Sequence, residues 1–271
     1  MHILGCSARA SGFIALCLVL TLLCWAGTAR GQSYNFNNGS DAGWTHYEPM
    51  ASFGAPGSIS VQNGAYRIVA APVPAPPGST AVGASRAASY IASTSYTDFY
   101  ESVDIVNWQT NSSQAFGLLA HLSTVGLQTT SGYALTFTDD NNELTLSSIT
   151  GEAPTTLNTA AVGSPLQTGH TYHLVFSDVN NLLSGSIYDN ASPSVALASL
   201  SQIDSSKPSG NSGLVVFDLT STTGNASNGA DATFDNYSAA VSSPEPGSAM
   251  LLMALFAPMM LSRRKWKMID N

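Results

Sequence analysis

Cysteine is scarce in this sequence and confined to one end. Of 271 residues three are cysteine, Cys6, Cys17 and Cys24. Beyond them nothing can form a disulfide, ligate a metal through sulfur or act as a thiol nucleophile. Positive charge is equally thin. Between Gln32 and Ser243 the strong bases are Arg67, Arg86 and Lys207, against fifteen Asp and Glu, which leaves a formal charge of −12. Such a surface repels phosphate backbones and anionic membranes, so nucleic acid is excluded as a partner. It suits neutral sugars, divalent cations or plain solubility. No Gly-x-Ser-x-Gly elbow presents a nucleophile, and tryptophan is limited in this stretch to Trp44 and Trp108.

The two ends differ from what lies between them. His2 and Arg9 precede an apolar run from Phe13 to Trp25, and small residues follow at Ala26-Gly-Thr-Ala29. A weakly basic start, an apolar core of this length and a small-residue exit describe a secretory signal peptide over residues 1–31. Sec machinery and signal peptidase are then the first partners. Removal of that segment takes every cysteine with it, and an exported chain of this length can rely on its core alone.

At the other end, Pro244-Glu245-Pro246-Gly247 cannot continue a strand or helix, because two prolines fix φ and lack N–H donors. Ser248 to Leu261 is then a run of fourteen residues without a charge, closed by Arg263-Arg264-Lys265. As a helix that run spans only ~21 Å, short of a hydrocarbon core of ~30 Å. Pro258 weakens it further, and the basic cluster would stay cytoplasmic. Together these residues resemble the PEP-CTERM sorting segment of Gram-negative bacteria: a Pro-Glu-Pro motif, a short hydrophobic stretch and a terminal arginine cluster. Ser243 stands where that family commonly has Val, and seven residues follow Arg264. The resemblance implies an exosortase as partner, cleavage near Pro244–Gly247, and a path through the inner membrane to the cell surface or the extracellular space. It also implies company with exopolysaccharide.

From Gln32 to Ala240 the chain has the length of one large all-β domain, with residues 241–271 as the sorting segment. Helical periodicity is lacking. The spacing predicts strands at Ser58–Val61, Tyr66–Ala70, Phe99–Trp108, Ala115–Leu122, Tyr133–Phe137, Leu144–Ile149, Thr171–Phe176, Leu183–Tyr188, Gly213–Leu219 and Ala232–Tyr237. The clearest hairpin runs from Tyr133 to Leu146, with Tyr133, Leu135 and Phe137 facing Leu144 and Leu146 across an Asp139–Asn142 turn. Proline at Ala70–Gly78 predicts an extended loop. The expected architecture is a two-sheet antiparallel sandwich. Three stretches resemble the concanavalin A-like, laminin-G-like jelly rolls: Phe36–Trp44 as an entry strand, Gly169–Asp189 as a strand–turn–strand, and Ser212–Phe217 with Ala232–Tyr237 as a closing pair.

That superfamily includes lectins, glycan-cleaving enzymes and adhesive modules, so the site must decide. Its glycosidases often carry Glu-x-Asp-x-x-Glu on one strand. Here Glu101-Ser-Val-Asp104 has the wrong spacing, since residues three apart on a strand face opposite ways. Those two are read as edge or solvent-facing positions, and Glu143 is the remaining carboxylate of interest. His170 and His173 cannot chelate one metal from regular strand geometry, and His46 and His121 stand alone. Calcium is the candidate cofactor, with Asp139, Asp140, Asn141 and Asn142 in the hairpin turn or Asp235 and Asn236 as its ligands; related jelly rolls bind it near their termini, which favours the second pair. Trp108, beside Gln109 and Asn111, is the candidate glycan contact, while Trp44 reads as core. The sequence therefore describes an exported, non-catalytic, structural or polysaccharide-associated protein. A glycan-active hydrolase or lyase on the same fold is the alternative.

Overall fold

The computed structural model describes residues 31–72, 84–110, 113–219 and 229–241. The signal-peptide segment, most of the proline loop and the sorting residues Pro244, Glu245, Pro246, Gly247, Arg263 and Arg264 lie outside the described residues. Among the described residues no helix is long and apolar enough to cross a membrane.

Fifteen strands follow in chain order among the described residues: β1 Gln32–Tyr34, β2 Thr45–Tyr47, β3 Ser58–Gln62, β4 Ala65–Ala70, β5 Arg86–Tyr90, β6 Phe99–Trp108, β7 Gln114–Ser123, β8 Ser131–Thr138, β9 Glu143–Thr150, β10 Ala153–Ala161, β11 Tyr172–Val179, β12 Leu182–Asp189, β13 Ala196–Ile203, β14 Asn211–Asp218 and β15 Ala230–Ala240. They form two antiparallel sheets. Sheet A has the order β13-β12-β11-β6-β15-β4-β3, with β1 also paired to β15; sheet B has the order β10-β9-β8-β7-β14-β5-β2. The result is a β-sandwich.

The expected hairpin forms with the expected register. Leu135 stands opposite Leu146, and Phe137 opposite Leu144. Asn142 adopts φ 55° at the turn, a left-handed conformation that Asn tolerates better than most residues. All ten expected strands occur. The supposed closing pair does not: β14 belongs to sheet B and β15 to sheet A, so each closes a different layer. At the chain entry, Gln32 pairs with Ala239 and Tyr34 with Tyr237. The rings of Phe36 and Tyr66 stack 4.8 Å apart, and Trp44 meets Tyr237 edge-on at 4.8 Å. The start of the domain is thereby fastened to its last strand.

The sandwich core interleaves side chains from both sheets. Leu135 of sheet B projects to where Gly185 of sheet A has no side chain. A Cβ placed on Gly185 would lie 2.4 Å from Leu135 Cδ1, and Leu135 is fully buried. Gly185→Ala is therefore expected to cost about 1–3 kcal/mol by overpacking. Urea unfolding should show a lower midpoint, and the penalty should shrink in a Leu135→Ala background. A neutral Gly185→Ala would mean that the two sheets do not approach this closely.

Candidate binding groove

The outer face of sheet B is not the polar surface expected of a sandwich strand set. Ala88, Leu119, Leu122 and Ala134 form a second buried apolar cluster there, joined by Tyr47, Tyr90, Val125, Ile149 and Val215. Strand alternation puts them on this face, away from the core side chains that flank them. One lateral row runs Tyr47, Ala88, Val215 and another Leu119, Ala134, Ser147. Over these rows lies a groove of about 460 Å³. Its walls come from the turn after β9, with Gly151 to Pro154, and from Gln128 and Thr130 before β8. Phe217 and Leu219 extend it along β14.

One charged pair sits within it. Arg86 on β5 holds Glu152 by two parallel hydrogen bonds, Nε to Oε1 at 3.0 Å and Nη2 to Oε2 at 2.6 Å. Tyr47 donates its hydroxyl to Oε1 at 2.5 Å, and the Gln128 backbone N–H donates to Oε2 at 2.6 Å. Glu152 occupies the β9–β10 turn at φ 64°, and its own N–H reaches Thr130 O at 2.9 Å. Burial alone would raise the Glu152 carboxyl, but the hydrogen bonds from Arg86, Tyr47 and Gln128 and the Arg86 charge outweigh it and hold it below the ordinary glutamate range. Burial, then the neighbouring Glu152, keeps the Tyr47 phenol protonated far above its usual range. The groove thus combines an aliphatic floor with a self-neutralised clamp.

The residues singled out in the sequence lie elsewhere. Trp108 is 5% exposed, its ring packed 5.9 Å from both Phe116 and Tyr172. An inward position on β6 buries it, so it offers no open face to a sugar; Tyr47 and Phe217 are the aromatics that line the groove. Glu101 and Asp104 are not edge or solvent positions either. β6 is an interior strand of sheet A between β11 and β15, and both residues are buried. Glu101 points into the core, where Tyr237 donates to Oε2 at 3.2 Å. Asp104 lies across the sheet, taking His173 Nδ1 at 2.7 Å and Asn236 Nδ2 at 2.9 Å. Burial pushes Asp104 up, yet the hydrogen bonds from His173, Asn236 and Asn190 bring it below the usual aspartate range. A carboxylate on each side of one sheet cannot flank a single glycosidic bond. Glu143, bound by Asn141 at 3.0 Å, stands on β9 in the other sheet.

Each described histidine has its own partner. His46 meets Asp41 at 2.8 Å, His170 meets Asp189 at 3.2 Å, and His121 Nδ1 meets the Lys207 carbonyl at 2.6 Å. At the expected calcium position, Asp235 Oδ1 accepts the Asn236 N–H at 2.7 Å, and the Asn236 amide turns its nitrogen to Asp104. Asn236 has φ 49° within a bulge of β15. Asp140 accepts from Ser113, and Asn142 donates to the Val162 carbonyl. These side chains are tied to one another and to the backbone, and among the described residues no three His, Cys, Asp or Glu converge on one point.

Sequence reasoning missed Tyr47, Arg86 and Glu152. A signal was present: a cation as rare as Arg86 in a chain this acidic warrants a search for its carboxylate. Arg67 confirms the habit, since it clasps Asp231 in the same two-pronged way.

No protein-family model matches the sequence, and neither does any curated protein sequence. Solved structures are similar in fold. The carbohydrate-binding module CBM66 from Bacillus subtilis aligns over 73% of this chain and 95% of its own at 17% identity and a TM-score of 0.50. The VIP36 exoplasmic/lumenal domain, in its Ca2+/Man3GlcNAc-bound form, aligns over 80% of this chain and 92% of its own at 11% identity and a TM-score of 0.51. Its Ca2+/Man2-bound form gives 9% identity and a TM-score of 0.50, over 80% of this chain and 91% of that one. The chain is an all-β sandwich of the lectin-like jelly-roll kind.

Proposed function

We propose that this chain is an exported, non-catalytic protein of the cell surface or extracellular matrix that holds polysaccharide in the groove over sheet B. The observation that carries this reading is the groove itself, an apolar cleft of about 460 Å³ among the described residues, on a fold shared with a carbohydrate-binding module and a glycan-bound lumenal domain. Tyr47 and Phe217 provide aromatic surface, Ser147 and Thr136 place hydroxyls in the floor beside Ala134, and Gln128 provides a polar contact in the wall. Fold alone would not assign a ligand; the groove gives one a place to lie. The separation of Glu101 from Asp104 across sheet A supports binding without cleavage.

Export and retention rest on the two ends of the sequence. The apolar run at 13–25 would enter the Sec pathway. The Pro-Glu-Pro segment would hold the chain briefly in the inner membrane until an exosortase cut near Pro244–Gly247. Two measurements test the proposal. The full chain, mixed with a panel of bacterial polysaccharides, should be retained without release of new reducing ends, and Ala134→Trp should abolish retention in a variant that still unfolds in one cooperative thermal transition, at a lowered midpoint. Release of reducing ends, or retention indifferent to Ala134→Trp, refutes the groove reading. Intact-mass spectrometry of the surface protein should find Met250 to Asn271 missing. A mass that includes them means that the tail is a plain anchor.

A further inference from the structure

The groove's own chemistry restricts its ligand further. We infer that it is built for an uncharged glycan that carries methyl-bearing groups, acetyl esters or 6-deoxy carbons, in place of some hydroxyls. The inference rests on the glycan reading above.

Charge comes first. A carboxylated or sulfated sugar needs a free cation, and Arg86 is not free. Its Nε and Nη2 are committed to Glu152, and its Nη1 donates to the Ala84 carbonyl at 2.9 Å and lies 3.8 Å from Met50 Sδ. Glu152 is spent as well, each oxygen already accepting two donors. An anionic ligand would therefore be desolvated in the trough without a counter-ion, within a domain already strongly negative.

Hydroxyls come next. The floor is Ala88, Leu119, Ala134 and Val215, with Ile149 at the side. None of these side chains can bond a hydroxyl. Thr136 and Ser147 are the hydroxyls nearest that floor, and Thr130 already donates to Gly126. A plain pyranose pressed onto the aliphatic part of this floor, out of reach of Thr136 and Ser147, would bury hydroxyls without partners, a loss on the order of tenfold in affinity for each. A methyl in the same place gains about fourfold, the effect of burying one carbon. Alanines at 88 and 134 leave room for groups of that size. The floor thus ranks sugars by how many hydroxyls are capped or missing, not by their charge.

The test uses the full chain and three named polymers: acetylated galactoglucomannan, the same polymer deacetylated with alkali, and polygalacturonate. Affinity electrophoresis should show the acetylated polymer held at least about tenfold more tightly than its deacetylated form, with no retention by polygalacturonate. Glu152→Gln releases the Arg86 guanidinium and should create weak, salt-sensitive binding to polygalacturonate. Should that variant fold poorly, Ala134→Leu serves instead: it fills the floor and should erase the preference for acetyl groups. Equal binding of acetylated and deacetylated polymer overturns this inference and leaves the glycan reading standing. Retention of the wild type by polygalacturonate does the same. Failure to hold any of the three overturns the glycan reading, and this inference with it.

Discussion

Glu152→Ala is expected to lower the melting temperature by roughly 6–12 °C at neutral pH. The Arg86 and Glu152 side chains retain 18% and 8% of their exposure, so removal of one partner strands a mostly buried charge. That loss is about 3 kcal/mol, and a domain of this size shifts by about 2–4 °C per kcal/mol. The released Tyr47 hydroxyl and Gln128 N–H add to it. The pH dependence follows from the depressed Glu152 carboxyl. A folded carboxyl held below its unfolded value stabilises the fold above the ordinary glutamate range, and that contribution disappears as pH falls through the depressed value. Wild type and Glu152→Ala should therefore differ fully at neutral pH and converge in strong acid. Arg86→Met with Glu152→Leu should recover most of the loss, because a well-packed apolar pair replaces the ion pair at little cost. A Glu152→Ala variant as stable as the wild type at pH 7 would mean that the clamp is solvated and the groove floor open to charge.

The sandwich was largely legible in the sequence because several of its strands alternate strongly. Tyr133-Ala-Leu-Thr-Phe and Thr-Tyr-His-Leu-Val-Phe announce themselves, and β8 and β11 lie where their patterns say. The strands that escaped notice are those whose inward residues are small. β5 reads Arg-Ala-Ala-Ser-Tyr, β10 reads Ala-Pro-Thr-Thr-Leu-Asn-Thr-Ala-Ala, and β13 alternates Ala and Leu with Ser. Alanine and threonine carry little contrast between a buried and an exposed face, so periodicity fades there even though the backbone pairs regularly. β1 and β2 have three residues each, too few to show a period.

The groove was less legible than the fold for a related reason. It is assembled from β2, β5, β7, β8, β9 and β14 and from a turn, and its charged pair and tyrosine are far apart in the chain. Tyr47 and Glu152 are 105 residues apart, and Arg86 and Glu152 are 66 apart. Register across six strands brings them together, and a single sequence does not reveal register. Trp108 drew attention instead because tryptophan at a strand end is conspicuous. Its burial depends on which way β6 faces, and β6 shows an apolar-rich run on both sides. Glu101 illustrates the same blindness, since a glutamate in a strand is ordinarily read as facing water.

That glutamate supplies the second large effect. Glu101 is fully buried, Oε1 has no hydrogen-bond partner, and Oε2 has Tyr237 alone. Burial pushes its carboxyl well above the usual range, and the same burial, with Glu101 beside it, raises the Tyr96 phenol to about 12. The folded chain therefore keeps a proton on Glu101 at pH values where the unfolded chain has lost it. Between the ordinary glutamate value and the raised one, the folded state binds one proton more, so stability falls as pH rises. One proton corresponds to a slope of at most about 1.4 kcal/mol per pH unit within that window, appreciable against a typical folding free energy. Asp139, Asp178 and Asp235 are raised by burial too and tilt the same curve, so the test compares slopes instead of midpoints. Glu101→Gln keeps the shape and an acceptor for Tyr237 but cannot ionise. Urea unfolding at rising pH above the ordinary glutamate range should show the wild type losing stability more steeply than Glu101→Gln. Parallel slopes would mean that Glu101 ionises within the folded protein, and that water or a cation reaches the centre of sheet A.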